Sequence, residues 1–219
     1  NIAIGVEALE SVSTTNMNVA IGKGAGAACT GAENVFVGHE AGNDNTTAEY
    51  NTFIGNKAGT KNTTGTQNTA LGAMALDANT TANGNTAIGY DCLTANTTGA
   101  NNTAIGTFAL DANTTASNNV AVGKDALTAN TTGSENVAVG LDCLQANTTA
   151  SDNVGVGHSA LEATTTGTTN TAIGKNAGNA NTTGIGNVFL GQASGITGSP
   201  GGNNTTGNFS IFLGDENIG

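Results

Sequence analysis

Hydrophobic and polar positions alternate in a short unit that recurs along almost the whole chain. The unit reads Asn, then Thr/Val/Ile, Ala/Phe/Gly, Ile/Val/Leu and Gly, and over most of the sequence it returns every 17 residues. Its copies begin at Asn1, Asn18, Asn34, Asn51, Asn68, Asn85, Asn102, Asn119, Asn136, Asn153, Asn170 and Asn187, with a degenerate copy at Ser210. Such a repeat predicts a solenoid, in which each coil packs only on its neighbours.

Each position of the coil carries its own signal. Counted from the Asn as position 1, residues 85–101 show the consensus N-T-A-I-G-x-x-A-L-x-A-N-T-T-G-x-x almost unaltered. Thr/Val at position 2 and Ile/Val/Leu at position 4 form the period-two pattern of a β-strand. Position 5 is always Gly, which predicts a sharp corner. Since this length holds two short strands and two turns but no helix, we predict an all-β parallel β-solenoid of about thirteen coils, each rising about 4.8 Å.

Parallel stacking would place identical residues directly above one another. We therefore predict ladders of side-chain amides and hydroxyls from Asn at position 1 and from the N-T-T at positions 12 to 14, glycine corners at position 5 and apolar columns at positions 4 and 9. Positions 2 and 4 are interpreted as a buried face. The structural residues assigned in this way are Gly89, Gly106, Gly123, Gly140, Asn85, Asn102, Ile88, Ile105, Leu93 and Leu110.

The Asn-Thr-Thr tripeptides at positions 12 to 14 support two interpretations. Asn and Thr are good turn residues, and the same tripeptide satisfies the N-glycosylation pattern. We expect these turns and the titratable groups His39, His158, Lys124 and Asp125 to lie on the outer surface. The tripeptides begin at Asn45, Asn62, Asn79, Asn96, Asn113, Asn130, Asn147, Asn181 and Asn204.

Large residues at positions 3 and 9 of a coil exclude each other. Position 3 is usually Ala but is Phe at Phe36, Phe53 and Phe189, and in those coils position 9 is Gly instead of Leu. Two large residues cannot share one close-packed volume, so the two positions are predicted to touch. The coils with Ala20/Gly26 and Ala172/Gly178 are small at both positions and do not fit a simple exchange within one coil.

A strand that is apolar on both faces needs cover on both. With positions 2 and 4 buried, a partner chain would cover position 3, so we predict an oligomer with position 3 at the interface. The predicted interface residues are Ala87, Ala104, Ala121, Phe36, Phe53 and Phe189.

Charge and chemistry narrow the function. The net charge is −11 with five Lys and no Arg, which disfavours nucleic acid as a partner. Cys29, Cys92 and Cys143 form no metal motif and are interpreted as small buried hydrophobes. The Gly-Gly-x-Gly-x-Asp motif of calcium β-rolls is missing, and no catalytic triad is visible. We expect no metal, cofactor or enzymatic site, and no membrane insertion by this segment.

The domain organisation is simple. Residues 1–219 form a single repeat domain, expected to be a segment of a longer fibre, with a loop insertion around 196–202 that contains Pro200, the only proline.

The N-T-A-I-G-x-x-A-L unit resembles the head repeats of trimeric autotransporter adhesins of the YadA-like type, whose repeats read S-x-A-I-G-x-x-A-x-A. It is also similar to stretches of phage and viral tail fibres. The resemblance covers essentially the whole chain and implies a left-handed β-roll, three chains to a head. Two features depart from it: the unit here is longer, with the extra residues in the N-T-T-G turn, and no neck, stalk or membrane anchor is present.

The resemblance implies an extracellular fibre segment, on a cell or virion surface, that presents a receptor- or surface-binding region. A tail-fibre shaft is the alternative to a cell-surface adhesin. Ice binding by stacked Thr-Thr pairs, such as Thr97-Thr98, is a minor alternative, although adjacent strand residues point to opposite faces.

Overall fold

The computed structural model describes residues 1–196 and 204–214, which form one parallel sheet of thirteen strands in sequence order. Each strand has three residues and pairs with the next in register, as Ala87 does with Ala104. The strands are β1 Ile2–Ile4, β2 Val19–Ile21, β3 Val35–Val37, β4 Thr52–Ile54, β5 Thr69–Leu71, β6 Thr86–Ile88, β7 Thr103–Ile105, β8 Val120–Val122, β9 Val137–Val139, β10 Val154–Val156, β11 Thr171–Ile173, β12 Val188–Leu190 and β13 Ile211–Leu213. The predicted all-β parallel β-solenoid is confirmed.

No helix occurs in the described ranges, and hence none long and apolar enough to cross a bilayer. The predicted loop around 196–202 lies outside the described residues, apart from Ile196.

The coil contains one strand, so the prediction of two strands per coil is wrong. The remaining sides are turns, yet their backbone groups still bond from coil to coil. The Leu110 amide donates to the Ala126 carbonyl at 3.0 Å, and the Thr114 amide donates to the Thr131 carbonyl at 3.1 Å. Because the same set of bonds recurs between every pair of coils and on every side, the register is fixed around the whole coil.

The strands point their middle residue inward. Ala87 and Ala104 are fully buried inside the single chain, whereas Ile88 is half-buried and Ile105 is 36% exposed. The interpretation of positions 2 and 4 as the buried face is therefore wrong, and Ile88 and Ile105 belong to the outer surface. Side chains alternate along a strand, so a one-residue error in the inward position exchanges the two faces.

The core is narrow and is filled from positions 3, 8 and 9. Leu93 and Leu110 are fully buried, as predicted. Phe36 explains the exchange of bulk: a Cβ added to Gly26 in the preceding coil would lie 2.5 Å from its ring, and a Cβ added to Gly42 in its own coil would also collide with it. One Phe thus occupies the volume of two Leu side chains in adjacent coils.

The same geometry accounts for the two coils that are small at both positions. Phe189 lies between Gly178 and Gly195, as Phe36 lies between Gly26 and Gly42. The predicted contact between positions 3 and 9 is confirmed, and the compensation extends over neighbouring coils.

Three positions of the coil adopt left-handed backbone conformations without being reserved for glycine. Phe108 at position 7 has φ 58°, Leu110 at position 9 has φ 52° and Thr169 at position 17 has φ 59°. An L-residue in this region costs roughly 1–2 kcal/mol, and a β-branched residue fits it worst. The coil-to-coil hydrogen bonds hold these residues there.

Replacing Thr169 by Gly tests this strain. We expect Thr169→Gly to stabilise the protein by about 0.5–1 kcal/mol, because Gly adopts a positive φ without a Cβ clash. The adjacent Thr168 does not have positive φ, so Thr168→Gly is the matched control and should destabilise by a similar amount. Thermal unfolding measures both, and equal losses would contradict the strain.

Replacing Ala104 by Phe tests the shared core volume. We expect Ala104→Phe to destabilise by roughly 1–3 kcal/mol, because Leu93 and Leu110 occupy the space that its ring needs. Adding Leu110→Gly should recover part of the loss, and adding Leu93→Gly as well should recover more. Denaturant unfolding gives the four stabilities, and no recovery in the triple variant would contradict the packing.

Candidate binding surfaces

The position 1 asparagines form a buried ladder inside the coil. Asn85 and Asn102 are fully buried, and the Asn102 amide donates to Asn85 Oδ1 at 2.9 Å. Asn85 Nδ2 donates to the carbonyl of Gly99 at 2.9 Å in its own coil. Each side chain therefore holds one turn closed and bonds the coil above it, so the predicted role of these residues in ladders is confirmed.

The Asn of each Asn-Thr-Thr turn forms a second buried ladder. Asn96 Nδ2 donates to Asn79 Oδ1 at 3.0 Å and to the Gly99 carbonyl at 2.9 Å. The prediction that these turns lie outside is therefore wrong for the Asn and right for the second Thr, because Asn96 is fully buried and Thr98 is exposed. A glycan on Asn96 Nδ2 would break the ladder, which favours the structural interpretation of the tripeptide.

The second ladder is interrupted once among the described coils from Asn34 to Asn170, at Thr164, which takes the position 12 place of Asn. Its Oγ1 donates to the Asn181 carbonyl at 3.0 Å, so nothing donates to Asn147 Oδ1 in the coil before it. Asn181 Oδ1 is likewise buried without a partner. A buried acceptor left unpaired costs about 1–3 kcal/mol.

Restoring Asn at position 164 should repair the ladder. We expect Thr164→Asn to stabilise by about 1 kcal/mol, because the new Nδ2 would reach Asn147 Oδ1 as Asn147 Nδ2 reaches Asn130 Oδ1 at 2.8 Å. The reverse change in an intact coil, Asn113→Thr, is the control and should destabilise. A Thr164→Asn melting temperature at or below that of the parent chain would contradict the ladder defect.

The titratable groups chosen from the sequence lie outside the core. His39, His158 and Lys124 are exposed, as predicted. The side chain of Asp125 is 16% exposed and pairs with Lys124 at 2.5 Å, and this bond raises the pKa of Lys124. Burial raises the pKa of Asp111, and Asp91 and Asp125 add to that rise.

The three cysteines are interior residues. Cys29, Cys92 and Cys143 are free and buried, and burial raises the pKa of Cys92 and Cys143 to about 12. Their interpretation as small buried hydrophobes is confirmed. Nor does any group of three or more His, Cys, Asp or Glu in the described residues have the geometry of a metal site.

The broadest uniform surface is the outward side of the sheet, here called the outer strand face: positions 2 and 4 of the coils. Position 4 is Ile, Val or Leu in every coil, position 2 is Ile, Val or Thr, and neither position is ever charged. Leu71, Ile173 and Leu190 are 46%, 44% and 47% exposed. At about 4.8 Å per strand, the thirteen strands present a face about 60 Å long, on the order of 600 Å². Contiguous apolar surface of this extent marks interaction sites.

The residues predicted for a chain–chain interface lie elsewhere. Ala87, Ala104, Ala121, Phe36, Phe53 and Phe189 have no exposed surface in the single chain. They pack inside the coil and cannot touch a partner, so that assignment is wrong. Their neighbours at positions 2 and 4 are the residues available for such contact.

One signal in the sequence does identify the outward side. Position 2 is Thr in five of the described strands: Thr52, Thr69, Thr86, Thr103 and Thr171. A position that alternates between Thr and Val without any compensating change elsewhere is typical of a partly solvated surface, whereas Phe36, Phe53 and Phe189 at position 3 come with Gly at position 9.

Comparisons of the chain with protein-family models, curated proteins and solved structures give no match.

Proposed function

We propose that the chain is a non-enzymatic segment of an extracellular fibre on a cell or virion surface, in which three copies associate along their outer strand faces. The observation that carries this proposal is the uncharged apolar face that runs along thirteen strands while the core of each chain is filled by its own side chains. The resemblance to adhesin head repeats sets the number of copies at three. Adhesin and tail-fibre shaft remain two forms of the same role, projecting or presenting a binding region.

The apolar character of the face supports association. In a trimer each copy buries this face, on the order of 600 Å², against its two neighbours together, compared with roughly 800 Å² per partner in one standard protein interface. Burying exposed Ile, Val and Leu contributes about 25 cal/mol per Å², from which the entropy of association must be subtracted. A fibre made of three rods also gains stiffness without a larger core. The gene beyond this segment separates the two forms: a membrane barrel indicates an adhesin, and a virion-attachment domain indicates a tail fibre.

The mass in solution tests the proposal directly. We expect light scattering to give three times the 21.3 kDa of one chain. Ile105→Glu should dissociate the assembly, weakening association roughly 100-fold, because it would bury like charges at the shared face. Thr98→Glu, in an exposed turn, is the control and should leave the mass unchanged. A stable folded monomer of the parent chain in dilute solution would end the proposal.

Ice binding is the competing function, but the threonines available for it differ from the Thr-Thr pairs chosen from the sequence. Thr97 at position 13 uses its hydroxyl to donate to the Thr114 carbonyl at 3.0 Å, so the Thr-Thr pairs do not present two free hydroxyl columns. The outer strand face instead carries consecutive outward threonines Thr52, Thr69, Thr86 and Thr103. Thermal hysteresis in the purified chain would favour ice binding over assembly.

A further inference from the structure

The corner of the coil that follows the strand carries one aromatic pair. Positions 6 and 7 are small, polar or charged in most coils, but Tyr90 occupies position 6 and Phe108 occupies position 7 of the next coil. Their ring centroids are 5.8 Å apart and their planes cross at 81°, an edge-to-face contact. No other aromatic residue occupies either position. The other coils form the same corner without rings, so the fold itself does not require the aromatic pair.

Hydrogen bonds to two neighbouring coils hold the aromatic pair in place. The Phe108 amide donates to the Tyr90 carbonyl at 3.1 Å. The Phe108 carbonyl accepts a hydrogen bond from Thr128 Oγ1 at 2.6 Å in the following coil. Because the backbone of Phe108 is bonded on both sides, the pair is preorganised, and a ligand that binds it loses little affinity to ordering of the protein.

The aromatic pair faces solvent. Tyr90 is 47% exposed and Phe108 is half-buried, whereas Cys92 and Ala109 beside them in the chain are fully buried. The electron-rich face of an exposed phenol ring attracts cations such as ammonium and guanidinium groups. The pair therefore offers a contact surface for a cationic group.

Carboxylates surround the aromatic pair. Asp91, Asp111 and Asp125 come from the two coils of the pair and the coil after them, a span of two strand spacings, or about 10 Å, along the rod. Residues 68–152 hold seven acids and a single base, Lys124, which pairs with Asp125 at 2.5 Å. Neither Asp91 nor Asp111 takes part in an ion pair of the described residues. The surface around the pair is thus acidic, with carboxylates left for an external cation.

The pKa values of the groups near the aromatic pair agree with this charge distribution. The Asp91 carboxylate raises the pKa of the Tyr90 phenol. Burial raises the pKa of Asp111, and the charges of Asp91 and Asp125 raise it further. The Asp125 carboxylate also raises the pKa of Lys124. Nearby negative charge is a cause in each case, and the same charge attracts a cation to this part of the surface.

We infer that the aromatic pair binds a Lys or Arg side chain of a partner protein, with the cationic group on the ring face of Tyr90 and the carboxylates of Asp91 and Asp111 beside it. Charge favours this partner over a neutral sugar, because the unpaired acids are complementary to a cation. The inference rests on the proposed role of presenting a binding region. It does not require copies to associate, since the pair contains no residue of positions 2 and 4.

Tyrosine fluorescence reports on this site in the full chain. The sequence has no Trp and two Tyr, so Tyr50→Phe leaves Tyr90 as the sole tyrosine. Titrating this variant with a short peptide of alternating Lys and Gly residues should change the emission of Tyr90 in a saturable way. A peptide of alternating Glu and Gly residues should not, and 1 M salt should weaken binding of the Lys peptide.

Substitutions separate the ring from the charge. With a fluorescein-labelled Lys peptide and anisotropy as the measurement, Tyr90→Leu should weaken binding roughly fivefold, because it removes the aromatic face and keeps the apolar volume. Tyr90→Phe keeps the face and should bind like the parent chain. Asp111→Asn should weaken binding by a similar factor and reduce its salt dependence. Tyr50 is 54% exposed at position 17, away from the pair, so Tyr50→Leu is the matched control and should leave binding unchanged.

Three results would overturn the inference: Tyr90→Leu binding the Lys peptide like the parent, equal binding of the Glu peptide, or no binding of either peptide. Saturable binding of maltohexaose without binding of the Lys peptide would also overturn it and assign the pair to a neutral sugar. Light scattering on the same samples keeps this test separate from the association of copies. A trimer that binds no Lys peptide would overturn this inference alone, and a monomer that binds it through Tyr90 would overturn the association alone.

Discussion

Hydrogen bonds that recur identically between successive coils hold this molecule together, and the rest of the structure follows from them. With the backbone in register on every side, each residue meets its own counterpart one coil away. A Cβ on Gly106 would lie 2.5 Å from the Gly123 carbonyl oxygen, so the corner excludes side chains. The Asn102 amide meets Asn85 Oδ1 for the same reason. A residue that suits its neighbour in one coil suits it in all of them, which is why the sequence repeats.

Most of the fold could be predicted from the sequence because the repeat shows, many times over, which residues each position of the coil allows. The period, the glycine corner at Gly89 and the contact between Phe36 and position 9 all follow from it. The inward side of the strand does not, since alternation defines two faces without saying which is enclosed. Ile88 is more hydrophobic than Ala87, yet beside Leu76 and Leu93 the narrow coil has room only for Ala at the inward position. Buried Asn96 was missed because a turn sequence is normally read as solvated.

The interior of the chain provides its stability, and its surface is available for contact. Inside, residues such as Leu110 fill the core and, except at Asn147 and Asn181, the two Asn ladders pair their buried amides from coil to coil, so the core needs no second chain. Outside, positions 2 and 4 of the coil repeat an uncharged face along the rod. The fold therefore presents the same surface at every coil, which suits the fibre role that we propose.

The left-handed residues have a consequence for how the rod comes into existence. An isolated coil would hold strained backbone at Phe108, Leu110 and Asn118, with φ of 58°, 52° and 62°, and would have no neighbour to bond it. Such a coil is unstable by itself, whereas a coil added to a formed stack gains its ladder bonds as the strain is introduced. Adding a coil to a formed stack is thus favourable, whereas forming the first coils is unfavourable. The first few coils to form therefore act as a nucleus, and the remaining coils add to it one after another.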